Sequence, residues 1–142
     1  ARGVVTGLTL THGRGHLLRA CYEGISFGIR QILEMFDDAE APVTRAVGVG
    51  GGLRSPVWAQ ALSDITGRTQ LMPEQSIGAS YGDALLAAIG TGLVPSDTDW
   101  AKIAKEIPPR AEHRELYDEL YRTWLELYPA TRAQVHRLGE LT

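Results

Sequence analysis

The sequence predicts an α/β fold. Two observations carry that expectation: short β-type apolar runs alternate three times with runs of helical period across residues 1–93, and glycine or proline marks each change of period. The third observation is compositional. With 142 residues, 44% of them hydrophobic and 22% charged, the chain has the apolar content of one globular unit, not the signature of disorder.

Val4, Val5, Leu8 and Leu10, interleaved with Thr6, Gly7 and Thr9, read as a first strand closed by the turn residues Thr11 to Gly15. From His16 the period changes. Leu17, Cys21, Gly24, Gly28, Ile32 and Met35 fall on one helical face, and Ile25, Ile29 and Leu33 widen it, so this helix is expected to be buried on more than one side. Gly24 and Gly28 each cost about 1 kcal/mol against alanine in a helix interior. A close backbone approach is the expected compensation.

After Asp37-Asp38-Ala39-Glu40 and Pro42, the run Val43 to Val49 reads as a second strand, ended by Gly50-Gly51-Gly52. Ser55-Pro56 then supplies an N-cap residue with proline at the first helical position. Val57, Ala61, Leu62 and Ile65 form the apolar face of this second helix, and Gly67 stops it. Thr69 to Met72 reads as a third strand. Ser76 to Ile89 reads as a helix whose Gly78, Ala79, Ser80 and Gly82 permit close packing, ended by Gly90 and Gly92.

From Val94 to Pro109 the composition shifts to Pro, Asp, Lys and Glu, which reads as a connection carrying one turn of helix. The remainder is a terminal helix lined by Leu116, Leu120, Trp124 and Leu127, interrupted at Pro129 and continued weakly by Val135 and Leu138. Its Tyr and Trp residues are expected to pack. Residues 1–93 thus form the expected α/β core, and 94–142 a connection and helical tail docked on it.

Lys and Arg number 14 against 17 Asp and Glu, a net charge of −3, so there is no basic excess for a phosphate backbone and no nucleic-acid partner is expected. The single cysteine, Cys21, cannot close an internal disulfide, and a cytoplasmic setting fits. The longest apolar run, Ala84 to Ile89, is far short of the roughly 18 residues a spanning helix needs, so no membrane association is expected. The chain begins at Ala1 without methionine, which reads as a cut edge.

The segment Gly48-Val49-Gly50-Gly51-Gly52-Leu53-Arg54-Ser55 joins a predicted strand to a helix N-terminus, where free N–H groups and the positive dipole end favour phosphate or polar nucleotide groups. It is neither of the two familiar nucleotide loops. A dinucleotide fingerprint needs Gly or Ala where Leu53 stands, and a P-loop needs a Gly-Lys-Ser/Thr ending, whereas the only lysines are Lys102 and Lys105. Taken alone, the triplet reads first as a tight strand-to-helix turn that needs flexible backbone.

The run Gly50 to Gln60 with Asp64-Ile65-Thr66-Gly67 resembles the adenosine-binding segment of the C-terminal domain of the FGGY carbohydrate kinases. Two further segments agree, in the right order. Gly3-x-Val5-x-Gly7-Leu8 followed by His16-Leu17-x-x-Ala20-Cys21-Tyr22-Glu23 is similar to that family's C-terminal signature, and Gly78 to Ala88 resembles the helix closing the same domain. Pro109-Arg110 and the helix bearing Tyr117, Tyr121 and Tyr128 look like the tail of xylulokinase-type members.

The resemblance implies an RNase H-like fold of the actin, hexokinase and Hsp70 ATPase superfamily, incomplete at its N-terminal edge, with a C-terminal helical tail. Two strands of the sheet would lie before Ala1, between the Val4–Leu10 and Val43–Val49 strands. It further implies ATP and Mg²⁺ as cofactors, xylulose or a related ketose or polyol as substrate, and Gly50, Gly51, Gly52 and Ser55 as the residues contacting the nucleotide. Gln60 and Asp64 match the motif too, but as helix residues they can equally hold the fold.

Sugar phosphorylation needs a carboxylate base and phosphate-binding loops. The resemblance places the base, an Asp, in an N-terminal kinase domain, and puts the Asp-x-Gly-Thr hairpins ahead of the part present. Asp64-Ile65-Thr66-Gly67 has the wrong order. No catalytic residue is therefore assigned, and the isolated chain is expected to be inactive. The alternative is a non-catalytic adenine-nucleotide-binding or interaction module. Unpaired strand edges also template pairing, which makes a homodimer an expected state.

The remaining polar residues take structural readings. His12 and His16 have a metal-ligand spacing, but glycines lie between them and no third ligand is evident, so a polar pair at the turn is expected and no metal site. Glu23 is expected to partner Arg19 one turn earlier, and Asp83 a similar local donor. Cys21 is expected to be a small core residue.

Overall fold

The computed structural model describes residues 2–75 and 78–141. Along the chain run α1 (Arg14–Asp38), β1 (Ala46–Val47), a 3-10 turn (Gly51–Arg54), α2 (Pro56–Thr66), β2 (Gln70–Pro73), α3 (Ala79–Gly90), β3 (Ile103–Ile107) and α4 (Arg114–Glu140). Strand order is β1-β2-β3. β1 pairs with β2 in parallel, Ala46 opposite Gln70, and β3 closes the other edge of β2 antiparallel, Gln70 opposite Ile107.

α2 follows its sequence signals closely. Ser55 caps its start, with Oγ accepting from the Trp58 N–H at 3.4 Å. Pro56 takes the first turn, and Gly67 ends the helix in the left-handed conformation, φ 66°. Ala59, Ala61, Leu62, Ser63, Asp64 and Ile65 are buried. The Ser63 hydroxyl lies 2.6 Å from the Ile107 carbonyl oxygen and 2.9 Å from that of Arg68, fixing α2 against β3 and the approach to β2.

The main apolar cluster sits between helices. Phe27 of α1, Ala61 and Ile65 of α2, and Tyr117 and Tyr121 of α4 pack together, with Trp124 against them. Phe27 meets Tyr121 at 5.9 Å and Trp124 at 6.1 Å between ring centroids. The tail aromatics Tyr117, Tyr121 and Trp124 therefore pack as expected, whereas Tyr128 is exposed and pairs with His136.

Several expectations are corrected. Residues 4–10 form no strand and are exposed, because no strand among the described residues offers them a backbone ladder. The Val43–Val49 strand shrinks to Ala46–Val47, extended by the Gly48 N–H bonding to the Leu71 carbonyl at 2.8 Å. Residues 103–107, read as part of a connection, form β3. Pro129 does not interrupt α4, which runs through it. The third helix lies at Ala79–Gly90, and the expected start at Ser76 falls outside the described residues.

α1 is buried on one side only. Phe27 packs against α2 and α4 and Ser26 is buried, while Leu17, Ile25, Ile32, Met35 and Cys21 are exposed, so Cys21 is not a core residue. No backbone approaches Gly24 or Gly28: a Cβ at either would meet nothing within 4 Å. Helical spacing shows that a stripe is apolar, but not that an element of the same chain covers it.

Candidate nucleotide site

The glycine-rich turn occupies the junction the sequence predicts, between β1 and α2. Gly50 has φ 92° and ψ 171°, a conformation almost confined to glycine. Gly51 and Gly52 open the 3-10 turn and are exposed, and the Ser55 N–H closes it on the Gly52 carbonyl at 3.2 Å. The four residues singled out by resemblance thus lie along one turn that leads into the N-terminus of α2. A helix N-terminus presents unpaired N–H groups and partial positive charge.

The glycines differ sharply in their surroundings. A Cβ at Gly51 would meet nothing within 4 Å, so its backbone is open to a ligand. A Cβ at Gly52 would overlap the benzo edge of Trp58. One at Gly48 would fall 2.6 Å from Leu53 Cδ1 and 3.0 Å from Met72 Sδ. Leu53, which breaks the dinucleotide fingerprint, tucks back against the strand end and has its own packing role.

Gln60 and Asp64 lie further along α2 and hold the fold. Asp64, 1% exposed, accepts from the Arg110 N–H at 2.8 Å, Arg110 Nη2 at 2.6 Å and Gln60 Nε2 at 2.9 Å. Gln60 Nε2 also reaches the Pro108 carbonyl at 3.0 Å. Burial pushes the Asp64 carboxyl up, but its bonds to Arg110 and Gln60 outweigh that and hold it below the usual aspartate range.

Other polar groups resolve locally. Glu23 pairs with Arg19 at 2.6 Å as expected, and Tyr117 completes a triangle, accepting from Arg19 at 2.7 Å and donating to Glu23 at 2.9 Å. His16 Nδ1 accepts from the Gly13 N–H at 3.0 Å and His12 Nδ1 from the Thr9 N–H at 2.9 Å, a polar pair at the start of α1. Asp83 is exposed on α3. Among the described residues no group of three or more His, Cys, Asp or Glu side chains could hold a metal ion. No described helix is long and apolar enough to cross a membrane.

A cavity of about 290 Å³, lined by Arg30, Glu34, Asp37, Arg68 and Arg114 among others, opens at the opposite end of α2, beside Gly67. Its arginines are already engaged: Arg30 by Glu34 and Asp118, Arg68 by Asp37, and Arg114 by Asp118. It joins elements and leaves no charge free for an anion.

Sequence reasoning missed two relationships. Arg110 was legible as part of a tail motif but not as the partner of Asp64. Tyr22 of α1 stacks on Trp58 of α2, with centroids 5.0 Å apart and planes at 6°. Nothing in the residue pattern pairs them, because they meet only when α1 docks on α2.

Residues 1–91 match the C-terminal domain of the FGGY family of carbohydrate kinases. The chain is 32% identical over 135 residues to the xylulose kinase of Bacillus subtilis, covering 92% of itself and 27% of that protein. It is 30% identical to the gluconokinase of the same organism, covering 89% of itself and 25% of that protein. The crystal structure of xylulose kinase from Rhodospirillum rubrum superposes with a TM-score of 0.79 at 34% identity, over 96% of this chain and 28% of that one. A glycine-rich strand-to-helix turn on an actin- and hexokinase-like fold defines the class. The chain belongs to the FGGY family of carbohydrate kinases, as its C-terminal domain, and spans about a quarter of the length of these relatives.

Proposed function

We propose that this chain is the nucleotide-binding part of an ATP-dependent sugar kinase that phosphorylates a hydroxyl of xylulose or a related ketose or polyol. Residues 1–93 supply the α/β core and 94–142 the connection and tail. Gly50, Gly51, Gly52 and Ser55 hold the adenosine side of ATP. An N-terminal kinase domain supplies the carboxylate base and the phosphate loops, and Mg²⁺ travels with the ATP phosphates. The setting is cytoplasmic.

The observation that carries this reading is the open backbone at Gly51. That backbone is exposed with clear space above it directly ahead of the N-terminus of α2, where free N–H groups and the helix dipole favour polar nucleotide groups. The xylulose and gluconate kinases among the relatives support sugar as the substrate class.

Calorimetric titration of the chain with ADP tests it. Binding is expected without turnover, since no base is assigned here, and ligand at a hundred times Kd should stabilise the chain by about 2.7 kcal/mol. Absence of ADP binding would overturn the assignment of the turn. Ketose-dependent ADP formation by the isolated chain would overturn the division of labour between the two domains. Binding that never supports turnover, even with an N-terminal kinase domain supplied, would favour a non-catalytic nucleotide-binding module.

A further inference from the structure

Resting on the reading of Gly50 to Ser55 as the nucleotide turn, we infer that Trp58 is a positioning residue for that turn, and that Tyr22 holds Trp58 in place. Trp58 touches two of the four candidate binding residues in different ways. The backbone of Gly52 lies so close to its benzo edge that any Cβ would overlap Cζ3, with Cε3 and Cη2 at 3.0 Å. Its backbone N–H bonds to Ser55 Oγ at 3.4 Å, setting the hydroxyl at the helix start.

The indole is in turn fixed by the Tyr22 ring at 5.0 Å and 6°. A turn with three consecutive glycines has little conformational preference of its own and must be ordered from outside. The flat, braced indole edge supplies that order without placing a side chain in the space a ligand would use. The Gly51 face stays open while the Gly52 face is closed against Trp58.

The ring, not its N–H, is what the site uses. Trp58 Nε1 has no hydrogen-bond partner among the described residues, whereas the ring face and edge both make contacts. Phenylalanine, which keeps a flat edge and drops the orphaned donor, should therefore substitute well, while leucine keeps apolar volume without the plane. Trp58 lies outside the Phe27–Ile65–Tyr121 cluster, so these changes leave the main core intact.

The test compares Trp58→Phe, Trp58→Leu and Tyr22→Leu in the chain, with two readouts. The first is amide exchange at residues 51–54 without nucleotide, referenced to amides around Ile65. Trp58→Leu and Tyr22→Leu should speed exchange at the turn at least tenfold with no change around Ile65, and Trp58→Phe should stay within threefold of the parent chain. The second is ADP affinity by calorimetry, expected to fall at least tenfold in Trp58→Leu and to be retained in Trp58→Phe. Unchanged turn exchange in Trp58→Leu overturns the inference, as does a loosened turn that binds ADP as before. If the parent chain itself binds no ADP, the nucleotide reading fails, and the exchange data still decide whether Trp58 orders the turn.

Discussion

Arg110 closes on Asp64 with three donors: its backbone N–H at 2.8 Å, Nε at 3.1 Å and Nη2 at 2.6 Å. The carboxylate is fully buried and the guanidinium 42% exposed, so one partner lives in the core and the other at its rim. The pair ties the segment after β3 to the last turn of α2, the helix whose N-terminus carries the glycine turn. Asp64→Ala should destabilise the chain by about 2–3 kcal/mol, because the Arg110 N–H and the Gln60 amide lose their acceptor inside the protein. Asp64→Asn should cost less, since it keeps one acceptor oxygen. Urea denaturation of both variants measures this, and equal stability of Asp64→Ala and the parent would show the contact to be idle.

The same carboxylate predicts an acid limb in stability. Its pKa in the folded chain lies below the ordinary 3.8, held down by Arg110 and Gln60 against the upward push of burial. The unfolded chain therefore binds a proton at a pH where the folded chain does not. The contribution of Asp64 is complete well above the ordinary value and is lost as pH falls through it toward the folded pKa. Asp64→Asn should flatten the decline in urea midpoint between pH 5 and pH 3 by about one proton's worth of slope. An unaltered pH profile in that variant would place the acid sensitivity in other carboxylates.

Tyr117 joins α4 to α1 by accepting from Arg19 and donating to Glu23. Burial pushes its hydroxyl pKa up, so it remains a donor throughout the neutral range. Tyr117→Phe keeps the ring in the cluster with Phe27 and leaves the Arg19–Glu23 pair, itself partly exposed, in place. The expected cost is about 1 kcal/mol, the net worth of a hydroxyl in such a network. Thermal unfolding reads it, and a loss above about 3 kcal/mol would mean that α4 undocks.

Where the signals were local, the sequence was readable. Ser55-Pro56 and Gly67 bound α2 because capping chemistry and left-handed backbone need no tertiary information. β3 was hidden because an edge strand shows solvent residues on most positions: Ala104, Lys105 and Glu106 are exposed although the strand pairs with β2 along its length. Pro129 is exposed in α4, where solvent can satisfy the carbonyl it strands, so a breaker in sequence is tolerated in the helix. The turn itself, with its glycines ahead of Ser55 and the start of α2, was legible from its motif. The Tyr22–Trp58 stack and the Arg110–Asp64 pair were not, because each joins residues brought together from different elements.

The three glycines of the turn separate fold from binding. Gly50→Ala should cost about 1–3 kcal/mol through backbone strain alone, since φ 92° with ψ 171° excludes alanine while no neighbour crowds its Cβ. Gly52→Ala should cost about 1–3 kcal/mol for a different reason, displacement of an indole braced by Tyr22. Gly51→Ala meets nothing and should leave stability within about 0.5 kcal/mol of the parent. It therefore isolates function. If ADP affinity falls while the urea midpoint holds, a ligand approaches the backbone at Gly51, since no other effect of a single methyl group in open space weakens binding. If both hold, no ligand group approaches the backbone at Gly51.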